Sequence, residues 1–218
     1  GSSNPDNFCN VNGTLYFSAD DGVKGNELWK SDGITVDTVK DVFPGYGTIG
    51  PNASNPYGLI NVNGTLFFIA DDGVHGSELW KSDGTAAGTV LVKDIRPGAD
   101  TSDIRYMFNY KGLLLFQADD GTNGTELWKS DGTTAGTKMV KDIYTGKSYW
   151  GGANSSNPQY FCELNGKVYF QAACYNSGVN NTGRELWRTD GTDTGTKLVK
   201  NIETYYSNYW GAYSSTPQ

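Results

Sequence analysis

One eight-residue phrase recurs four times along this chain and limits its fold more than any other feature. It reads ELWKSDGI from Glu27, ELWKSDGT from Glu78 and again from Glu126, and ELWRTDGT from Glu185. The copies stand about fifty residues apart, the length of a propeller blade or a solenoid unit. An active site needs its special residues once. A motif repeated this often belongs first to architecture, so function is sought where the copies differ.

The second copy is the clearest template for one unit. NPYGLINV reads as a strand, and Asn63-Gly64 as a two-residue hairpin turn, because a type I′ turn needs positive φ at both central positions. TLFFIA is the next strand, DDGVHGS a glycine-rich loop, ELWKS a third strand, DGTAAG a turn and TVLVKDI a fourth strand. Every unit thus supplies four antiparallel strands, with no helical periodicity. In TLYFSA, Leu15 and Phe17 point one way and Tyr16 the other; in ELWK, Leu28 and Trp29 point to opposite faces. The middle strands are apolar on both faces. A sandwich sheet would turn a polar face to water, whereas a propeller blade is covered on both sides by its neighbours. Trp29, Trp80, Trp128 and Trp187 are each large enough to bury roughly 150–250 Å² and are expected between blades.

The pattern NG-x-LYF-x-ADDG-x-x-G-x-ELWKSDGT-x-x-GT-x-x-VKDI resembles the ELWxxDGT repeat family over nearly the whole chain. Such repeats occur in large extracellular proteins, and the resemblance implies a β-propeller at the cell surface or outside the cell. It is specific as a repeat and says little about function. The third copy departs at its hairpin, Lys111-Gly112, and lacks the Asn-Pro start; the first has a shorter turn, DGITVDT; the fourth replaces ADDG with AACYNSG. The chain opens SSNPD and closes SSTPQ, at the same point of the repeat. The expectation is one all-β domain over 1–218, a closed propeller of four blades of four antiparallel strands, with units at about 3–53, 54–101, 102–155 and 156–213. The alternative is a four-unit piece of a larger propeller or array.

Up-and-down strand order puts the NG and SDGT turns at one end, and the DDG loops and inter-blade connections at the other. Three unusual segments fall at this second end: KSYWGGANSSNP, the insertion CYNSGVNNTGR and ETYYSNYWGAYSSTP. All flank the fourth unit, and Tyr149-Trp150-Gly151 is echoed by Tyr209-Trp210-Gly211. Aromatic rings suit the C–H face of a sugar, and amides suit its hydroxyl rim. The candidate ligand-binding residues are therefore Tyr149, Trp150, Asn154, Asn176, Tyr205, Tyr206, Asn208, Tyr209 and Trp210. Packed caps and a protein interface remain as alternative readings of the same rings.

Other chemistries have less support. The net charge is −7 without a basic cluster, which disfavours nucleic acid and anionic membrane. No apolar run reaches the ~18 residues of a spanning helix. Asp20-Asp21, Asp71-Asp72 and Asp119-Asp120 would start a calcium site, but no D-x-D-x-D-G ladder follows, and they read first as Asx turns; no cofactor is expected. Glu27 and its equivalents read as hydrogen-bond acceptors or as ion-pair partners of Lys30, Lys81, Lys129 and Arg188. His75, the only histidine, stands in a loop and is expected to face solvent. A carboxylate-pair glycosidase needs only two acids, but the repeats make too many equivalent ones to single out a pair. Cys9, Cys162 and Cys174 permit one disulfide in an exported protein, with Cys174 expected as a partner. Sequons at Asn12, Asn52, Asn63, Asn123, Asn154 and Asn180 weakly favour export.

The functional expectation is a non-catalytic extracellular binding or adhesion module for a glycan or protein ligand, with self-association open to it. The alternatives are a purely structural repeat of a cell-surface assembly and a carboxylate-dependent glycoside hydrolase.

Overall fold

The computed structural model describes residues 1–148, 151–174 and 183–202. They form four separate four-stranded antiparallel sheets. Sheet 1 holds β1 (Asp6–Val11), β2 (Thr14–Asp20), β3 (Asn26–Ser31) and β4 (Val36–Lys40). Sheet 2 holds β5 (Tyr57–Val62), β6 (Thr65–Asp71), β7 (Ser77–Ser82) and β8 (Val90–Lys93). Sheet 3 holds β9 (Arg105–Tyr110), β10 (Leu113–Asp119), β11 (Thr125–Ser130) and β12 (Lys138–Lys141). Sheet 4 holds β13 (Gln159–Leu164), β14 (Lys167–Ala173), β15 (Arg184–Thr189) and β16 (Lys197–Lys200). Strands pair in sequence order within each sheet, and the first strands of successive sheets lie beside one another. The arrangement is propeller-like: sheets fan out from a common inner edge made by β1, β5, β9 and β13.

The opening hairpin of each sheet turns on a left-handed pair, Asn12-Gly13, Asn63-Gly64, Lys111-Gly112 and Asn165-Gly166, all at positive φ. The third unit also keeps the conformation of the missing Asn-Pro start: Asp103 takes φ 49°, beside 46° at Asn55 and Asn157.

The recurrent DGT-x-x-GT closes the turn after the third strand. In sheet 2, Asp83 Oδ1 accepts from the Thr85 amide and hydroxyl, at 2.8 and 2.7 Å. The Thr85 hydroxyl accepts from Gly88 N, and the Thr89 hydroxyl donates back to Thr85 O. Ser82 Oγ accepts from Gly84 N and meets Thr89 Oγ1 at 2.7 Å. A side chain at Gly88 would strike the Asp83 carboxylate, so a larger residue there would displace that carboxylate from its bonds to Thr85. The same bonds recur at Asp131 and Asp190. Each motif letter therefore has a hydrogen-bonding or steric duty in a turn.

The rest of the phrase joins one sheet to the next. Lys30, Lys81 and Lys129 donate to the carbonyls of Gly84, Gly132 and Gly191 in the following sheet, at 2.9, 2.8 and 2.7 Å. Of the two readings of the repeated glutamates, hydrogen-bond acceptor holds and ion pairing with these lysines is not formed. Glu27, Glu78 and Glu126 are fully buried and bind the connection leaving their own sheet. Glu126 accepts from Ile143 N at 2.9 Å, Ser156 N at 2.9 Å and Ser156 Oγ at 2.5 Å; Glu27 does the same with Val42 and Ser54. A buried carboxylate is tolerable here because backbone donors surround it. Burial still wins over those donors, raising Glu78 and Glu126 to about 7.

Three apolar cores hold the four sheets. Val11, Tyr16 and Leu28 of sheet 1 meet Leu66, Phe68 and Trp80 of sheet 2. Phe67, Leu79 and Val92 meet Leu114, Phe116 and Trp128 of sheet 3. Tyr110, Leu115 and Leu127 meet Val168, Phe170 and Trp187 of sheet 4. Three repeated tryptophans thus pack on the preceding sheet, as expected. Among the described residues there is no fourth cluster between sheets 4 and 1, so the closed ring expected from the sequence is not formed there. Trp29 stays half-buried, and Leu186 and Ile202 at the other end are 37% and 67% exposed.

Candidate functional site

The inner edge carries a feature that the repeat pattern hides. Pairing of the first strand with the second slips between Asp6 and Cys9, Tyr57 and Ile60, Arg105 and Phe108, and Gln159 and Cys162. Such slips are β-bulges, which re-aim side chains and often need a left-handed residue. That residue is Asn7 in sheet 1 (φ 58°) and Gly58 in sheet 2 (φ 64°). Asparagine and glycine accept this conformation at little cost. Sheets 3 and 4 place Tyr106 (φ 55°) and Tyr160 (φ 62°) there. A bulky residue at positive φ costs about 1–2 kcal/mol.

The two strained rings lie edge to face, with centroids 5.7 Å apart, and are 42% and 68% exposed. Exposure so large means that burial does not offset the backbone cost. The Tyr106 hydroxyl donates to Gln159 Oε1 at 3.4 Å. Beside them, Tyr57, Gly58, Arg105 and Tyr106 rim a groove of about 360 Å³ floored by Ile69 and Ile104. A Cβ on Gly58 would strike Ile69, so the groove also depends on that glycine. The result is a row of exposed aromatic faces with a guanidinium and an amide alongside. It lies where the first strands begin, at the end bearing the DDG loops and connections.

The residues expected to bind ligand fare differently. Tyr149, Trp150, Asn176, Tyr205, Tyr206, Asn208, Tyr209 and Trp210 lie outside the described residues. Asn154 is described, and its amide donates to Thr145 O at 3.1 Å while its backbone N bonds Gly146 O. Asn52 makes the same two bonds to Pro44 and Gly45. Asn154 thus laces its connecting loop, a duty repeated elsewhere in the chain.

The paired aspartates make Asx turns. Asp21 Oδ1 accepts from Val23 N and Lys24 N, and Asp120 Oδ1 from Thr122 N and Asn123 N. Among the described residues no group of three His, Cys, Asp or Glu side chains is placed to hold a metal ion. The His75 side chain is 36% exposed; Asp72 Oδ2 sits 2.8 Å from its Nδ1 and raises the imidazole above its ordinary pKa. Asn123 makes the matching bond to Asp120 in sheet 3, so His75 serves as a loop pin. The cysteines also depart from expectation. Cys174 is buried in the core between sheets 3 and 4 rather than reaching outward, and the one disulfide expected, with Cys174 as a partner, is not formed among the three cysteines.

No family model and no curated protein matches the sequence. Solved structures do match in shape. A puromycin hydrolase superposes with a TM-score of 0.53 at 12% identity, over 89% of this chain and 28% of its own. A prolyl endopeptidase gives 0.51 at 12%, over 85% and 24%. A xyloglucanase from Xanthomonas campestris gives 0.49 at 14%, over 89% and 30%. The chain therefore spans less than a third of each of these proteins. The first two matches support a shared arrangement of sheets, and at such identity nothing about chemistry.

Proposed function

We propose that this chain is a non-catalytic extracellular recognition module that binds glycan along its aromatic inner edge. The observation that carries this reading is Tyr106 and Tyr160: exposed rings held at positive φ where sister units use Asn7 and Gly58. Strain kept at an exposed position is most economically explained by a ligand contact. A tyrosine ring can cover the C–H face of a sugar, while Arg105 and Gln159 can meet its hydroxyls. The repeated acids do not read as a catalytic pair. Glu27, Glu78 and Glu126 are fully buried and engaged by backbone amides, and Asp21, Asp72 and Asp120 hold their own turns. Trp150 and Trp210 are proposed as further contacts of the same ligand.

The test is a glycan array with the isolated chain, followed by titration of hits against Tyr160→Asn. Asparagine keeps the left-handed backbone and removes the ring. Binding should weaken at least tenfold while the melting temperature holds or rises. A clear fall in melting temperature with binding intact would make Tyr160 a structural cap and defeat the reading. Trp150→Ala should likewise weaken binding without lowering the melting temperature.

A further inference from the structure

The two end faces of the stack carry, at equivalent positions, the residues that meet between sheets inside the chain. On sheet 4, Leu164, Leu186, Val199 and Ile202 occupy the positions that Val11, Leu28, Val39 and Val42 occupy on sheet 1. The sheet 1 residues are buried against sheet 2, at no more than 6% exposure. Their sheet 4 counterparts are 57, 37, 43 and 67% exposed. On sheet 1, Leu15 and Trp29 stand where Leu66 and Trp80 pack into that same core. Leu15 is 37% exposed, and Phe8, whose ring lies 5.9 Å from that of Phe17, is 60% exposed.

Repeat proteins that end in solvent usually replace such positions with polar residues on a capping unit. Neither end face here does so. The polar link is also half-present. Lysines of sheets 1 to 3 reach a glycine carbonyl of the next sheet, Arg188 holds the fourth donor position, and Gly33 O is the acceptor position without a described predecessor.

We propose that the open face of sheet 4 docks on the open face of sheet 1 in a second copy of this chain, head to tail. Such a contact continues the three interfaces already built inside the chain: equivalent apolar positions meet, with Arg188 at the donor position of the lysines and the Gly33 carbonyl at the acceptor position. A contact between unlike faces is heterologous, so it extends or closes depending on the rotation. It is independent of the glycan reading, because the tyrosines lie on the inner edge rather than on the end faces.

The experiment is mass by light scattering across a concentration series of the full chain, with Leu186→Arg and Leu15→Arg variants. The wild type should show a mass of two copies or more, and each variant alone should be monomeric. An equimolar mixture of the two variants should regain a dimer, because one intact sheet 4 face then meets one intact sheet 1 face. Alkylation of exposed Cys162, which stands at the position of core-packed Cys9, should slow as the wild type associates. A wild type that stays monomeric at every concentration overturns the proposal. So does a Leu186→Arg dimer, which would mean like faces pair, and so does failure of the mixture to associate while both variants retain β-sheet circular dichroism.

Discussion

Lys111 shows how much one residue can reveal in a repeated fold. It holds φ 53° at a hairpin where three sister units use asparagine at φ 50–52°. Asparagine adopts that region at little cost and lysine at a greater one. The lysine gains a contact 3.5 Å from Glu163, both partly exposed, and lies over the Tyr110 ring at 5.2 Å. Exposed ion pairs contribute little. Lys111→Asn is therefore expected to stabilise the chain by about 1 kcal/mol, read as a higher urea midpoint with unchanged slope. A lower midpoint would mean that the cation over Tyr110 outweighs the backbone term. The turn itself was legible because Asn-Gly names its conformation. The strain at Tyr106 and Tyr160 was not. Tyrosine in a strand reads as an ordinary strand former, and only the bulge assigns it the left-handed position.

At the scale of the element, the eight-residue phrase divides into a turn clasp and a connection latch. The clasp was half-legible: Asp-Gly-Thr announces a turn, but the reciprocal bonds of Thr133 with Asp131 and Gly136 N come from the folded loop. Thr133→Val removes both and should cost about 1–2 kcal/mol, measured by chemical denaturation. The latch was less legible, because a glutamate beside a lysine suggests an ion pair, and burial separates them. Its pH consequence has a definite sign. Burial raises Glu78 and Glu126 from 4.5 to about 7. Between those values the folded chain holds protons that the unfolded chain has released, so stability falls as pH rises through the window. The clasp aspartates act oppositely. Hydrogen bonds from Thr85 and Thr133 lower Asp83 and Asp131 below 3.8, so their contribution is lost only as pH falls beneath that value. The denaturation midpoint is expected to be higher at pH 5 than at pH 8. Glu126→Gln should flatten the trend while lowering the midpoint throughout, because an amide NH₂ cannot accept from the donors around it. A midpoint that rises steadily from pH 5 to 8 would mean that the latches are ionised in the fold.

At the scale of the whole molecule, the four-unit plan was legible because both faces of the middle strands are apolar. Closure was not, since identical faces mate equally well within a chain or between chains. The difference lies in energetics at one repeat position. Leu66 and Leu114 are fully buried in inter-sheet cores, whereas Leu15, at the same position of sheet 1, is 37% exposed. Removing a buried leucine leaves a cavity as well as losing transfer energy. Leu114→Ala should cost about 2–5 kcal/mol. Leu15→Ala, measured at a concentration low enough to keep the chain monomeric, should cost about 1 kcal/mol or less, as partly exposed substitutions do. Raising the concentration should then widen the gap between wild type and Leu15→Ala, because association buries Leu15 only in the wild-type interface and adds stability by mass action. Equal costs for Leu15→Ala and Leu114→Ala in the dilute monomer would mean that sheets 4 and 1 of one chain already share a fourth core. The ring would then be closed by a single copy.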